Sequence, residues 1–404
     1  MLFKFSSYGF LKNLRFFEPF LYLFFLANGL SFFQIGILIS IREVSTFLLE
    51  IPTGVIADLT GRRRAMASAF ASYIFSFIIF YSFKDFYVFV PAMLLFALGE
   101  TFRSGTHKSM IMEYLDEEDL EDKKVEYYGK TRSASRLGSA LSAVLAGVIV
   151  YFWQSYNIVF LFTLIPYTFG FILMFTYPRR LDGKYLKRSS WKEITTHVSN
   201  SFKQLKRHSG LGRMILNASI YDSFFKISKD YLSPIVETFA IGLPFLLFVG
   251  NISQRTAILV GIVYFFVYLN SFVSSRESVS LMEKIGDMKT ALNVLYFILA
   301  AAFLFVALFL EVGIVLLSIV SFFFFFTLYN LRKPMVVGYL GDRIEPETRA
   351  TLLSGHNQMR SVVGIVIAPV LGYFADSFGL TYTFAFAGVI LMITGILLFI
   401  KDGD

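Results

Sequence analysis

The chain has 404 residues and is 56% hydrophobic, while only 16% of its residues are charged. Soluble globular chains are usually about 45 to 50% apolar and about 25% charged, so this composition excludes an ordinary soluble domain. The formal net charge is +8, but the basic residues separate apolar segments and do not form one basic face, which argues against a nucleic-acid-binding protein.

Twelve apolar segments are long enough to cross a membrane, since a spanning helix needs about 20 mostly apolar residues. Six precede and six follow a polar stretch, which predicts an all-α polytopic membrane protein of two pseudo-symmetric six-helix bundles. We expect an N-terminal bundle over 1–178, a basic cytoplasmic linker over 179–212 and a C-terminal bundle over 213–404. The predicted spans are 16–33, 35–57, 65–83, 86–114, 131–153, 157–177, 213–239, 256–280, 290–309, 312–340, 349–375 and 380–400.

Lysine and arginine are distributed unevenly over the predicted loops. If the N-terminus is cytoplasmic, the loops on that side carry basic clusters such as 62–64, while the opposite loops carry only Lys84 and Arg255. We therefore expect both termini in the cytoplasm and the protein in a prokaryotic inner membrane. Within the linker, apolar residues recur at helical spacing from Trp191 to Leu205, which predicts an amphipathic helix on the inner leaflet, with a solvated tether as the alternative.

The two predicted bundles show a weak internal repeat. An offset of 225 residues pairs Lys108 and Met110 with Lys333 and Met335. Small residues four apart let helix backbones approach closely in lipid, so we expect the spans that carry them to pack centrally. With one residue of slippage, the same offset pairs two such triplets, Gly138, Ser142 and Ala146 with Gly364, Ala368 and Gly372.

The loop between the second and third predicted spans carries the most specific motif of the chain. It reads Gly-Val-Ile-Ala-Asp-Leu-Thr-Gly-Arg-Arg-Arg from Gly54 to Arg64. This loop resembles the signature loop of the major facilitator superfamily, although Leu59 stands where that family usually has a basic residue. The residues that we assign to gating are Gly54, Asp58, Gly61, Arg62, Arg63 and Arg64.

The resemblance covers nearly the whole chain and implies a transporter that works by alternating access. In outline it is closest to the efflux-like members that move drugs and organic solutes. It also implies that Asp58 meets the eleventh span as a cytoplasmic latch, that Gly54 allows a close approach and that Gly61 makes the turn. The alternative for this loop is a role in membrane topology alone.

Ionisable residues inside predicted spans are our candidates for solute binding or proton coupling, because a charge in lipid is costly. Glu100, Arg103 and His107 share one face of the fourth span. Deep basic residues slightly outnumber deep acids, which favours an anionic or zwitterionic solute, and mutual salt bridges are the competing role. The candidates are Arg42, Glu43, Glu100, Arg103, His107, Asp222, Lys226 and Arg360.

We therefore expect a monomeric secondary active transporter of a small organic solute, with proton-coupled efflux as one mode. A lipid or lysolipid flippase on the same scaffold is the main alternative, and a passive channel or a membrane-embedded enzyme is a weaker one. No glycine-rich phosphate loop occurs, and the chain has no cysteine and only four scattered histidines. We expect no cofactor, no metal and no catalytic residue, and the partners would be the solute, protons and membrane lipids, without nucleic acid.

Overall fold

The computed structural model describes residues 1–182, 209–243, 248, 250–274, 277, 286–342 and 346–401. In these residues all regular structure is α-helical or 3₁₀. Nine of the described helices are long and apolar enough to cross a membrane, and a shorter apolar helix covers Glu18–Ala27. The predicted all-α membrane fold is confirmed, whereas the amphipathic helix predicted in the linker lies outside the described residues.

The helices follow one another along the chain with short connections. The first eight are α1 (Leu2–Leu11), α2 (Leu21–Ala27), α3 (Phe32–Thr60), α4 (Arg62–Ser82), α5 (Phe86–Arg103), α6 (Thr106–Glu117), α7 (Lys124–Trp153) and α8 (Ile158–Phe175). The others in the described part are α9 (Ser209–Ser228), α10 (Leu232–Gly242), α11 (Ile252–Ser274), α12 (Met288–Glu311), α13 (Val315–Asp342) and α14 (Pro346–Leu397).

The described residues form two compact units. The first unit takes its residues from Met1–Leu30, Ile41–Ser190 and Pro244–Tyr268, and the second from Ser31–Ser40, Trp191–Leu243 and Leu269–Asp404. In the first unit α4 packs against α5 and α8, and α1 packs against α7. In the second unit α12 packs against α13 and α14, and α9 also packs against α14.

The first membrane segment begins earlier than the predicted span 16–33. Helix α1 starts at Leu2, and a 3₁₀ turn at Glu18–Phe20 leads into α2. The basic residues up to Arg15 had excluded this stretch from the predicted span, because charges are disfavoured in lipid. The structure compensates Arg15 inside the first unit, where its guanidinium lies 2.7 Å from the carboxylate of Glu100.

Two glycines divide long helical runs at positions that apolar patterning does not reveal. Gly105, with a φ of 75°, separates α5 from α6 inside the fourth predicted span. Gly379, with φ 82° and ψ 172°, breaks α14 between the eleventh and twelfth predicted spans. Positive φ is accessible to glycine without a steric penalty, so each break occurs where a glycine allows it.

Aromatic rings fill much of both units. In the first unit Phe160 stacks on Phe17, with ring centroids 5.5 Å apart, and meets Phe24 at 4.6 Å. In the second unit Phe303 and Phe325 stack at 4.4 Å. Such pairs add directional contacts to the burial of apolar area, and they account for part of the unusually high phenylalanine content.

The start of α12 is fixed by a side-chain cap. Asp287 accepts hydrogen bonds from the hydroxyl of Thr290 at 2.7 Å and from its backbone N–H at 2.9 Å. The hydrogen bond from the Thr290 side chain is the main cause that lowers the pKa of the Asp287 carboxyl, so the cap remains anionic near neutral pH. An anionic cap at a helix N-terminus is favourable because it satisfies free N–H groups.

The first turn of α3 is packed tightly against α14 in the second unit. Asp376 accepts hydrogen bonds from the backbone N–H groups of Phe32 at 2.9 Å and Phe33 at 2.8 Å. A Cβ added to Gly372 would lie 2.3 Å from the Phe32 carbonyl oxygen, and one added to Gly36 would lie 2.5 Å from the Ala368 carbonyl oxygen. One member of each small-residue triplet thus lies in a close helix contact, since Gly138 of the other triplet faces the Phe10 carbonyl.

We expect Gly372→Ala to destabilise the protein, because the new methyl group collides with backbone that cannot move aside easily. Overpacking of this kind typically costs about 1 to 3 kcal/mol. The melting temperature of the purified protein in detergent measures the effect. Gly338→Ala is the matched control, because its added Cβ would meet only the Met288 Cε at 3.8 Å. Equal melting temperatures for the two variants would contradict the close contact at Gly372.

Candidate functional site

A buried ionic cluster occupies the first unit around Glu100 of α5. Its Oε1 accepts hydrogen bonds from Arg15 Nη2 at 2.7 Å and from Tyr73 Oη at 2.6 Å. Its Oε2 accepts from Arg103 Nη2 at 2.5 Å. Hydrogen bonds to a charged acceptor are short and strong, so this carboxylate joins three separate segments of the unit.

The helix geometry explains how Arg103 reaches this cluster. Arg103 lies three residues after Glu100, and side chains at that spacing share one helix face. Its Nε also donates to Tyr73 Oη at 3.1 Å. With two guanidinium groups around one carboxylate, the cluster carries an excess of positive charge.

His107 lies one helix further on, beneath a stack of aromatic rings. Its ring lies 3.7 Å from that of Tyr8 in a stacked arrangement, and the edge of Phe5 meets it at 5.5 Å. His107 Nε2 is 3.2 Å from the Tyr177 hydroxyl, which in turn donates to the Lys4 carbonyl. The imidazole therefore has partners on both faces and at its Nε2 atom.

Arg42 and Glu43 form a separate pair on α3. Arg42 Nη2 lies 3.2 Å from Glu43 Oε1, and Arg42 Nε lies 3.3 Å from the same oxygen. Glu43 is 3% exposed. The structure thus brings these two neighbouring candidates together as an ion pair within an apolar helix.

In the signature loop, Gly61 has a φ of 103° and makes the turn between α3 and α4. Arg62 Nη1 lies 2.5 Å from Glu113 Oε2, and its Nε lies 3.8 Å from Asp58 Oδ1. The backbone N–H of Arg63 donates to Asp182 Oδ1 at 3.0 Å. The loop is therefore tied to α6 and to the segment after α8.

Three implied roles in this loop go beyond those contacts. Among described atoms, none lies within 4 Å of a Cβ placed on Gly54, so its close approach to another helix stays a prediction. Arg64 is exposed, as its proposed place at lipid phosphates requires. The latch between Asp58 and the eleventh span also stays a prediction.

A second polar cluster lies in the second unit, between α9 and α14. His356 Nε2 is 3.5 Å from Asp222 Oδ2. On either side of Asp222, Ser219 Oγ donates to the His356 carbonyl at 3.3 Å and Ser223 Oγ donates to the Arg360 carbonyl at 2.8 Å. The two helices therefore place Asp222, His356 and Arg360 in one region.

Helix α13 adds Arg332 to this cluster, a residue that the sequence analysis missed. Arg332 is 1% exposed, and its Nε donates to the Leu292 carbonyl at 3.3 Å while its Nη2 donates to Asn217 Oδ1. Its guanidinium lies 4.2 Å from the ring centroid of Tyr221 and 5.5 Å from that of Tyr296. Because it precedes Lys333 and Pro334 near the end of a predicted span, it was taken for a terminal charge. The available signal was the 225-residue offset, which pairs it with His107.

Four buried polar atoms of this second cluster lack a hydrogen-bond partner within the described residues. Such atoms are rare in folded proteins, and each points to an interaction with a group outside the chain or with water. They are Tyr221 Oη, Arg332 Nη1, His356 Nε2 and Arg360 Nε. Lys226, the remaining candidate, is half-buried on the same α9 helix, one turn from Asp222.

Comparison with known proteins gives two matches along the sequence. A family model described as Major Facilitator Superfamily matches residues 7–362. An uncharacterized MFS-type transporter of Bacillus subtilis (strain 168), YxaM, is 22% identical over 420 residues, which cover 99% of this chain and 96% of the relative.

Solved structures share the fold over almost the full length. The crystal structure of nucleoside transporter NupG matches with a TM-score of 0.81 at 12% identity, covering 98% of both chains. The crystal structure of a POT family transporter in complex with a thioalcohol conjugated peptide matches with a TM-score of 0.74 at 12% identity, covering 98% of this chain and 95% of that one. At such identities the likeness carries the fold alone, and it confirms the predicted twelve-helix architecture.

We expect Glu100→Gln to destabilise the first unit, because it leaves two guanidinium groups without a counter-charge. Breaking a buried ion pair on one side typically costs about 3 kcal/mol. Melting temperatures in detergent measure this loss, and the double variant with Arg15→Gln should lose less than the two single variants combined. Glu126→Gln is the control, because it removes a carboxylate from an exposed pair with Lys130. Additive losses would count against a shared ionic cluster.

Proposed function

The chain belongs to the Major Facilitator Superfamily, and from that premise we propose that it is a secondary active transporter that moves a small organic solute by alternating access. The observation that carries the proposal is the pair of polar clusters within apolar helices. Charged side chains at membrane depth are costly, and they usually line a pathway for solutes or ions. The relatives named above are transporters, which favours transport over catalysis.

We propose an anionic or zwitterionic solute. Arginine exceeds carboxylate in the first cluster, where Arg15 and Arg103 surround Glu100. In the second cluster Arg332 and Arg360 accompany Asp222. Of the proteins with the same fold, one is titled as a nucleoside transporter and another is in complex with a conjugated peptide, so solutes of this size suit the fold.

The protein is an integral membrane protein, and its placement in the membrane is part of our proposal. We place both termini on the cytoplasmic side of a prokaryotic inner membrane, since the basic loops all lie on that side in this orientation. The proposed bundles are 1–178 and 213–404, joined by the basic linker 179–212. The signature loop would gate the cytoplasmic side, with Asp58 exposed enough to change partners between states.

We propose protons as the coupling ion and export as the direction. Glu43 and Asp222 are 3% and 5% exposed in apolar helices, so each could take up a proton when its counter-charge moves away. Glu100 is a weaker candidate, because three donors already bind its carboxylate. Asp222 is the stronger one, since His356 at 3.5 Å provides a second group that exchanges protons.

A lipid or lysolipid flippase is the second candidate function. It is favoured by an apolar groove of about 630 Å³ on the first unit, between α1, α7 and α8. Phe3, Phe10 and Phe169 line this groove, as an acyl chain would require. Movement of a labelled lysolipid between leaflets, without competition by water-soluble solutes, would favour this function.

Transport in proteoliposomes tests the leading proposal. We expect saturable uptake of labelled benzenesulfonate or alanyl-alanine, faster under an imposed pH gradient, and little uptake of benzenesulfonamide or benzylamine. Asp222→Asn should abolish the response to the pH gradient while exchange without a gradient continues, because only net proton movement needs the carboxyl. The assay is initial rate against concentration and pH.

The control is Asp116→Asn, which changes an exposed carboxylate paired with Lys124. Its rates should match those of the unaltered protein. Flux that rises linearly with concentration would point to a channel. Movement of only neutral or cationic compounds would overturn the proposed solute class.

A further inference from the structure

We propose that the second unit contains an oxyanion-binding site in which Arg332 and Arg360 bind a carboxylate, phosphate or sulfonate group of the solute. This inference rests on the proposed transport function, because it assigns to one cluster the recognition of an anionic solute. It differs from a general excess of basic residues in that two guanidinium groups are named as the ligands.

The surroundings of Arg332 leave its charge without a counter-ion. Its Nε and Nη2 atoms donate to neutral oxygens, those of the Leu292 carbonyl and the Asn217 side chain. Tyr221 and Tyr296 lie against the guanidinium and restrict its orientation. A fully buried cation held by neutral groups favours a negatively charged ligand, because burial of an unpaired charge is costly.

The remaining donors of the cluster complete the site. Arg332 Nη1 and Arg360 Nε are buried without partners in the described part of the chain, as are Tyr221 Oη and His356 Nε2. The charged groups that act on His356 are Asp222, Arg360, Arg332 and Lys333, three cations and one anion. Donors with an excess of positive charge match an oxyanion, whose oxygens accept several hydrogen bonds.

The first unit provides an internal comparison. His107 corresponds to Arg332 under the 225-residue offset, and a tyrosine lies against each of them, Tyr8 at 3.7 Å and Tyr221 at 4.2 Å. His107 Nε2 has a partner in Tyr177, whereas Arg332 Nη1 has none in the described residues. The same position is therefore satisfied within the first unit and open to a ligand in the second.

Binding measurements on the purified full-length protein test this site. Isothermal titration with benzoate, phenyl phosphate and benzenesulfonate is compared with titration of neutral benzamide. We expect at least one of these oxyanions to bind about tenfold or more tightly than benzamide, because charge-assisted hydrogen bonds are the stronger ones. Arg332→Gln and Arg360→Gln should each weaken oxyanion binding about tenfold and leave benzamide binding unchanged.

Lys108→Gln is the control, because it removes an exposed positive charge beside His107 in the first unit. It should leave oxyanion binding unchanged. Since Arg332→Gln removes a fully buried group, Arg332→Lys and Arg360→Gln carry the test if that variant does not fold. Arg332→Lys retains the charge but loses the forked geometry, so it should also weaken binding.

Two results would overturn the site. One is equal affinity for benzamide and all three oxyanions, and the other is unaltered oxyanion affinity in the folded arginine variants. These failures are distinct from failure of the transport proposal. Saturable transport with unaffected arginine variants would reject the site alone, whereas oxyanion binding without transport of any compound would reject the transporter alone.

Discussion

A charge within an apolar helix must find its compensation inside the protein, and this constraint organises both units. Glu100 satisfies it for the first unit, since its carboxylate joins α5 to α4 through Tyr73 and to the end of the first segment through Arg15. These segments would otherwise be held only by ring packing and small-residue contacts, which depend on shape and not on charge. The ionic cluster thus fixes which helices meet, and the aromatic rings fill the space between them.

The two units meet the same constraint in different ways. The first unit pairs its central carboxylate with cations from its own helices, and its histidine with a tyrosine. The second unit holds a guanidinium by neutral oxygens and rings, which orient it without neutralising it. An internal repeat therefore supplies equivalent positions, while the residues at those positions divide the work between rigidity and recognition.

Much of the fold followed from apolar segment length, because a membrane leaves few alternatives to a helix of about 20 residues. Helix spacing also brought Glu100 and Arg103 onto one face, where the structure has them in contact. Tyr73 could not be found in this way, because its contact joins two helices and leaves no periodic signal. Arg15 and Arg332 were missed for a related reason, since a charge near the end of an apolar segment reads as the limit of that segment.

The cap on α3 has a consequence for how the chain is made. Asp376 supplies two hydrogen bonds to the first turn of a helix that begins 344 residues earlier in the sequence. During synthesis, that turn leaves the ribosome long before its acceptor exists, so its free N–H groups must be satisfied by water until then. Maturation of the second membrane helix is consequently completed by one of the last segments to emerge, and a chain truncated before Asp376 would leave its beginning unfinished.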